Sequence, residues 1–144
     1  MRLRTNHLIL LCVLLIASCK NRNEKTTPSG MKYITYREMN GKKPLAGDWV
    51  TIQMVYKQDN DSVLFDSRTL GKPLRFELPK SKFEGSFEEG LMLMNEGSRA
   101  RFVIPNHLAY GLTGDQEKIP PASALYYDVH FIKAEPIPPA ASKQ

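Results

Sequence analysis

The chain has 144 residues, enough for one ordinary domain, with 42% hydrophobic residues, 24% charged residues and a formal net charge of +5. Lysines and arginines are interleaved with acids and form no long run, so the weak positive charge marks a solvated surface and argues against nucleic-acid binding. The three histidines, His7, His107 and His130, are scattered, and no metal site is suggested.

Arg2 and Arg4 precede the apolar run Leu8 to Ile16, which is too short to span a bilayer as a mature helix. A cationic start, a short apolar stretch and the small residues Ala17 and Ser18 give the polarity of a secretory signal peptide, here residues 1–18. The segment Ile16-Ala17-Ser18-Cys19 resembles a bacterial lipobox, whose cysteine receives a diacylglyceryl group and becomes the first mature residue. The plainer alternative is an ordinary thiol beside an uncleaved anchor helix. With Cys12 lost in the signal and the Cys19 sulfur consumed as a thioether, the mature domain has neither a free thiol nor a disulfide. Its stability then comes from an apolar core, and cysteine-based catalysis is excluded.

Residues 19–30, ending in the polar run KNRNEKTTPSG, lack apolar periodicity and are expected to form a lipidated flexible tether. Met31 to Tyr36 reads as a strand closed by the turn signal Asn40-Gly41. From Asp48 to Tyr56, Val50, Ile52, Met54 and Tyr56 alternate with polar residues and share one buried face. A short apolar piece ends in Phe65-Asp66, and Leu74 to Leu78 gives another strand. A helix is expected from about Glu84 to Met94, where Phe87, Leu91 and Met94 are helically spaced; Gly97 is expected to end it, and Glu88 and Glu89 read as dipole-favoured acids on its exposed start. Arg99 to Ile104 is a strand, Pro105 to Ala122 a loop, and Ala124 to Ile132 the last strand; residues 136–144 form a proline-rich tail expected to be disordered. The domain proper is then 31–135. Its class is α+β, an antiparallel sheet wrapping one short helix.

The stretch from Gly47 to Ile132 resembles an FK506-binding-protein (FKBP) domain through several motifs in order. They are Gly47-Asp48-Trp49-Val50-Thr51-Ile52, Phe65-Asp66-Ser67, Phe87-Glu88-Glu89-Gly90-Leu91 with Met94, Ile104-Pro105, Leu108-Ala109-Tyr110-Gly111, Ile119-Pro120-Pro121-Ala122, and Leu125 with Tyr127-Asp128-Val129. The resemblance implies a curved antiparallel sheet around the helix, an aromatic pocket between them, and cofactor-free peptidyl-prolyl cis-trans isomerase activity. It implies pocket walls from Phe65, Leu74, Phe83, Ile119 and Tyr127, a floor from Phe87 where tryptophan is usual, polar groups from Asp66 and Tyr110, and a backbone donor from Glu84. The usual strand tyrosine is replaced by Met54, and Tyr56 is the candidate substitute two residues on.

Such a pocket suits the reaction. Rotation about an amide faces a barrier of ~18–20 kcal/mol, and a dry aromatic site disfavours the dipolar resonance form that maintains it. Phe65, Phe87 and Tyr127 supply apolar walls, Tyr110 a hydroxyl donor, and Asp66 an electrostatic or orienting group; no nucleophile is involved. Alternatively, the aromatics are core, Asp66 orders a turn through an Asx bond, and Tyr110 is a corner residue. The expected substrates are proline-containing polypeptides and the expected state is a monomer. The expected location is the cell envelope, anchored through Cys19, with Lys20 after it implying the outer membrane, facing the periplasm. The chain is similar to lipid-anchored family members of bacterial gliding machinery, so a non-catalytic docking or chaperone module of an envelope assembly is the alternative function.

Overall fold

The computed structural model describes residues 23–80 and 85–137. The signal segment, Cys19, Phe83, Glu84 and most of the tail therefore lie outside the described residues. Seven strands form one antiparallel sheet: β1 (Glu24–Thr26), β2 (Lys32–Arg37), β3 (Trp49–Gln58), β4 (Val63–Asp66), β5 (Leu74–Glu77), β6 (Arg99–Ile104) and β7 (Leu125–Glu135). The order across the sheet is β1-β2-β6-β7-β3-β4. β4 and β5 share the free edge of β3: β5 pairs with Trp49 to Ile52, and β4 with Val55 to Lys57. Among the described residues the single α-helix, α1 (Phe87–Leu93), crosses one face.

The alternation seen in the sequence builds the core. Val50 and Ile52 of β3, Phe102 of β6 and Phe131 of β7 are fully buried, together with Leu91 of α1 and Met31 just before β2. A bulge in the β3–β7 pairing, where Thr51 faces Lys133 but Ile52 faces Phe131, skips one residue of β7. Side-chain parity changes there, which lets both Phe131 and Ala134 face inward. Gly90 is the point of closest helix–sheet approach, since a Cβ there would lie 2.7 Å from the Phe102 ring. Gly97 does not end the helix as expected. The chain leaves helical geometry at Met94, and Gly97, at φ +81°, instead turns it into β6 while donating to the Phe131 carbonyl at 2.7 Å.

Part of the stretch expected to be a tether is ordered. β1 pairs with β2, Glu24 opposite Ile34. Thr27 closes a turn onto the Met31 carbonyl at 2.8 Å, and Ser29 Oγ donates to Glu89 Oε2 at 2.7 Å. The same Glu89 oxygen accepts the Gly85 N–H at 2.6 Å. Glu89 is thus half-buried and ties the N-terminal segment to the helix start, where an exposed acid was expected. Burying Met31 contributes on the order of 2 kcal/mol, and this is what a polar sequence without periodicity conceals.

Candidate active site

Strand register assembles the site. Tyr33, Phe102, Tyr127, Tyr56 and Phe65 are cross-strand partners in turn, so five strands place five aromatic residues in one row on the helix-bearing face. Tyr56 stacks on Phe65 at 6.1 Å and on Tyr127 at 5.3 Å; Tyr127 meets Phe87 of α1 at 5.2 Å, and Phe87 meets Phe102 edge-on at 6.2 Å. Each such pair adds about 0.5–1.5 kcal/mol beyond the area it buries, so the row is stiff.

Over this row opens a cleft of about 400 Å³, lined by Met54, Tyr56, Phe87, Tyr110 and Tyr127, with Ile104, Leu108 and Leu125 at its apolar end. Three phenols converge on it. Burial, and then the neighbouring Tyr56, Tyr110 and Glu88, push the Tyr127 hydroxyl up to about 12. Burial, then Tyr110 and Asp115, raise that of Tyr56. Both are therefore neutral hydrogen-bond donors at neutral pH. Tyr110 stands on the rim, 47% exposed.

Of the residues proposed from sequence, the structure brings Met54, Tyr56, Phe87, Tyr110 and Tyr127 into the cleft, with Phe65 one ring behind. Leu74 is half-buried against the core, and Ile119 is buried beneath the loop 113–119. Asp66 is not in the cleft. It pairs with Val55, and its carboxylate grips Arg68, accepting from Nε at 2.8 Å and Nη2 at 2.5 Å. It also accepts the Arg68 backbone N–H at 2.9 Å, capping a 3-10 turn over Ser67–Leu70. The Arg68 hydrogen bonds hold this carboxyl below its ordinary range. No hydrogen bond joins Tyr56 to Asp66, so Tyr56 occupies the cleft without reproducing a tyrosine–aspartate pair.

Other contributors were not assigned from sequence. Ile104, Leu108 and Leu125 lie within quoted motifs, and the period-2 pattern through Leu125 and Tyr127 places both on the cleft face. Glu88, expected to be exposed, lines the cleft beside Tyr127. Ser67 is fully buried, and its Oγ accepts the Met54 N–H at 2.9 Å, supporting the strand under the cleft. Asp115 Oδ1 accepts the backbone N–H groups of Glu117, Lys118 and Ile119 at 2.9, 2.8 and 2.6 Å, which shapes the loop and lowers its own pKa. Gln58 Nε2 closes the same loop by donating to the Lys118 carbonyl.

A family model, FKBP-type peptidyl-prolyl cis-trans isomerase, matches residues 40–132. The chain belongs to this family. The probable FKBP-type isomerase FkpA of Neisseria meningitidis is 35% identical over 120 residues, covering 83% of this chain and 43% of that protein. FKBP1A of Xenopus laevis is 32% identical over 107 residues, covering 74% of this chain and 99% of that one. The crystal structure of FkpA from Escherichia coli superposes with a TM-score of 0.72 at 28% identity, over 92% of this chain and 61% of that one. This chain thus spans less than half the length of the Neisseria relative and nearly all of the Xenopus one. The FKBP fold, an antiparallel open sheet against one short helix, is the one expected from the sequence.

Proposed function

We propose that the aromatic cleft receives the proline of an X-Pro segment and accelerates its cis–trans rotation, and that the chain works as a lipoprotein of the cell envelope on exported polypeptides. The observation that carries the reading is the uninterrupted run of rings Phe65, Tyr56, Tyr127 and Phe87 at 5.2–6.1 Å spacing under an open cleft. Such a surface is rigid, dry and large enough for a proline ring. Moving the amide from water onto it weakens the dipolar resonance that holds the bond planar, while shape favours the turned ring. Tyr110 and the neutral Tyr127 hydroxyl supply donors to the substrate carbonyls. Met54 and Tyr56 form one wall. Asp66 enters through the turn it caps, which delivers Ser67 to the Met54 N–H. Phe83, Glu84, Leu74 and Ile119 complete the substrate-binding set. The chemistry is non-covalent and uses no cofactor.

The lipobox-like segment ending in Cys19 supports an anchor, and Lys20 supports the outer membrane facing the periplasm. The same features support kinship with the lipid-anchored members of gliding machinery. The test uses residues 20–144, which contain every described element, with cis-to-trans conversion of a short X-Pro peptide followed against the spontaneous rate. Catalysis that drops in Tyr127→Ala and Tyr110→Phe, with circular dichroism unchanged, is expected. A folded domain with no acceleration rejects the isomerase reading in favour of a docking module. Mass spectrometry of the chain from native membranes tests the anchor separately, since a diacylglyceryl-Cys19 N-terminus is expected.

A further inference from the structure

The face of the sheet opposite the helix carries a second depression, of about 480 Å³. Arg37 of β2 pairs with Arg99 of β6, Arg99 with His130 of β7, and His130 with Gln53 of β3, so one cross-strand row holds two arginines, a histidine and an amide. Among the described residues neither Arg37 nor Arg99 has a carboxylate within 4.0 Å. The next row differs: Arg101 is held by Asp128 through two bonds of 2.7 Å. Like charges directly opposite in a sheet are destabilising, so the unpaired row is unfavourable for folding and is relieved by a bound anion. Tyr36, 56% exposed beneath the Arg101 guanidinium, gives the same face an amphipathic ring of the kind that settles at a lipid–water boundary. The chain also enters at this level. Glu24, Ile34, Arg101 and Asp128 are successive cross-strand partners. Glu24 opens β1 five residues after Cys19, a span of at most about 18 Å, so an anchored chain keeps β1 within that distance of its lipid.

We propose that this outer face, through Arg37, Arg99 and His130, docks the domain on the anionic phospholipid headgroups of its own membrane, turning the aromatic cleft on the opposite face toward incoming polypeptide. The inference rests on the anchored-lipoprotein part of the function above. Arg99 and Arg101 from β6, Asp128 on β7, Gln53 from β3 and Arg68, held by Asp66 in the turn after β4, line the depression with His130, and Arg37 of β2 stands beside Arg99 in the same row. Burial and then Arg99 and Arg37 hold its imidazole below the ordinary histidine range, so headgroup binding and acidification reinforce one another.

The test is co-sedimentation of residues 20–144, without lipid, with phosphatidylcholine vesicles carrying about 30% phosphatidylglycerol, against phosphatidylcholine alone. Binding to the anionic vesicles only is expected, weakening with salt and tightening from about pH 7.5 to about pH 5.5. Arg37→Gln and Arg99→Gln should each weaken it about fivefold. Cis–trans rates on a soluble peptide should be unchanged in both variants; an unsubstituted domain that catalyses but does not bind the anionic vesicles rejects the docking face and leaves the isomerase intact. Equal binding to both vesicle types, or no effect of the two substitutions, overturns the proposal. So does a His130 resonance that shifts with inorganic phosphate while vesicles fail to bind, which would mark a free-phosphate site.

Discussion

The two faces of this sheet are built from the same strands, one residue apart, and they carry opposite chemistry. On the helix side, Tyr33, Phe102, Tyr127, Tyr56 and Phe65 make an apolar row; one residue along, Ile34, Arg101, Asp128, Val55 and Asp66 make a largely ionic one. Period-2 alternation keeps the ions of the sheet out of the cleft, where Glu88 of the helix is the acid beside Tyr127, and the hydroxyls of Tyr56 and Tyr127 sit among rings and remain neutral. The energetic consequence is a division of labour. The aromatic row carries stability and the site together, while the outer face contributes charge at small cost to the fold.

The sharpest break of that comparison is a pair of neighbouring substitutions. Phe102→Ala, at a fully buried ring touching Phe87, is expected to cost about 3–5 kcal/mol in chemical denaturation. Arg101→Met, breaking an ion pair whose side chains are 33% and 29% exposed, is expected to cost under about 1 kcal/mol. Comparable losses at both positions would remove the distinction between the faces.

Alkaline titration sharpens it next. Tyr127 has its folded-state pKa raised to about 12 from 10.0, so its neutral form contributes stability that is fully present below about pH 10 and is lost as the pH rises through 12. That difference between folded and unfolded chain corresponds to about 2–3 kcal/mol. Unfolding monitored between pH 9 and pH 12 should show this loss, and Tyr127→Phe should move the transition to higher pH. An unchanged transition in the variant would place the sensitive group elsewhere. At the other end of the scale, the Asp115 carboxylate, lowered by its backbone donors, supports the loop 113–119 above the ordinary carboxylate range, and that support fades on acidification.

How much of this was legible follows from the range of each interaction. The alternation in β3 and β6 and the spacing of Phe87 and Leu91 are local signals, and they gave the fold class and the buried faces. Register is not local: that Tyr56 meets Tyr127 depends on pairing strands far apart in sequence, so the row itself could not be read. β1 was hidden because its own residues are polar and its order comes from Ser29, Glu89 and Met31. Asp66 is the instructive case. Resemblance placed it in the pocket with Phe65, yet adjacent residues of a strand point to opposite faces, and the structure gives the carboxylate to Arg68.

Ser67→Ala tests the link between the faces, because the Asp66-capped turn delivers the Ser67 hydroxyl to the Met54 N–H beneath the cleft. Leaving that donor without a partner is expected to cost about 1–3 kcal/mol, with a fall in isomerase rate from a looser Met54 wall. Loss of stability with an unaffected rate would show that the wall tolerates the change.

The smallest effect is expected on β3 at the bulge across which β7 changes parity. Thr51 is buried, and its Oγ1 has no hydrogen-bond partner among the described residues. A hydroxyl in that position has lost its hydration with nothing in return, whereas a methyl of the same shape loses nothing by burial. Thr51→Val retains the β-branch that suits a strand and the volume that fills the bulge, so the change isolates the hydroxyl. Thermal unfolding should show stability unchanged or raised by up to about 1 kcal/mol, because replacing an unsatisfied polar group by an apolar isostere removes a penalty and breaks no bond. A loss of more than about 1 kcal/mol would mean that Oγ1 is bonded in solution, which would make the bulge a hydrated joint between the two faces in place of a dry one.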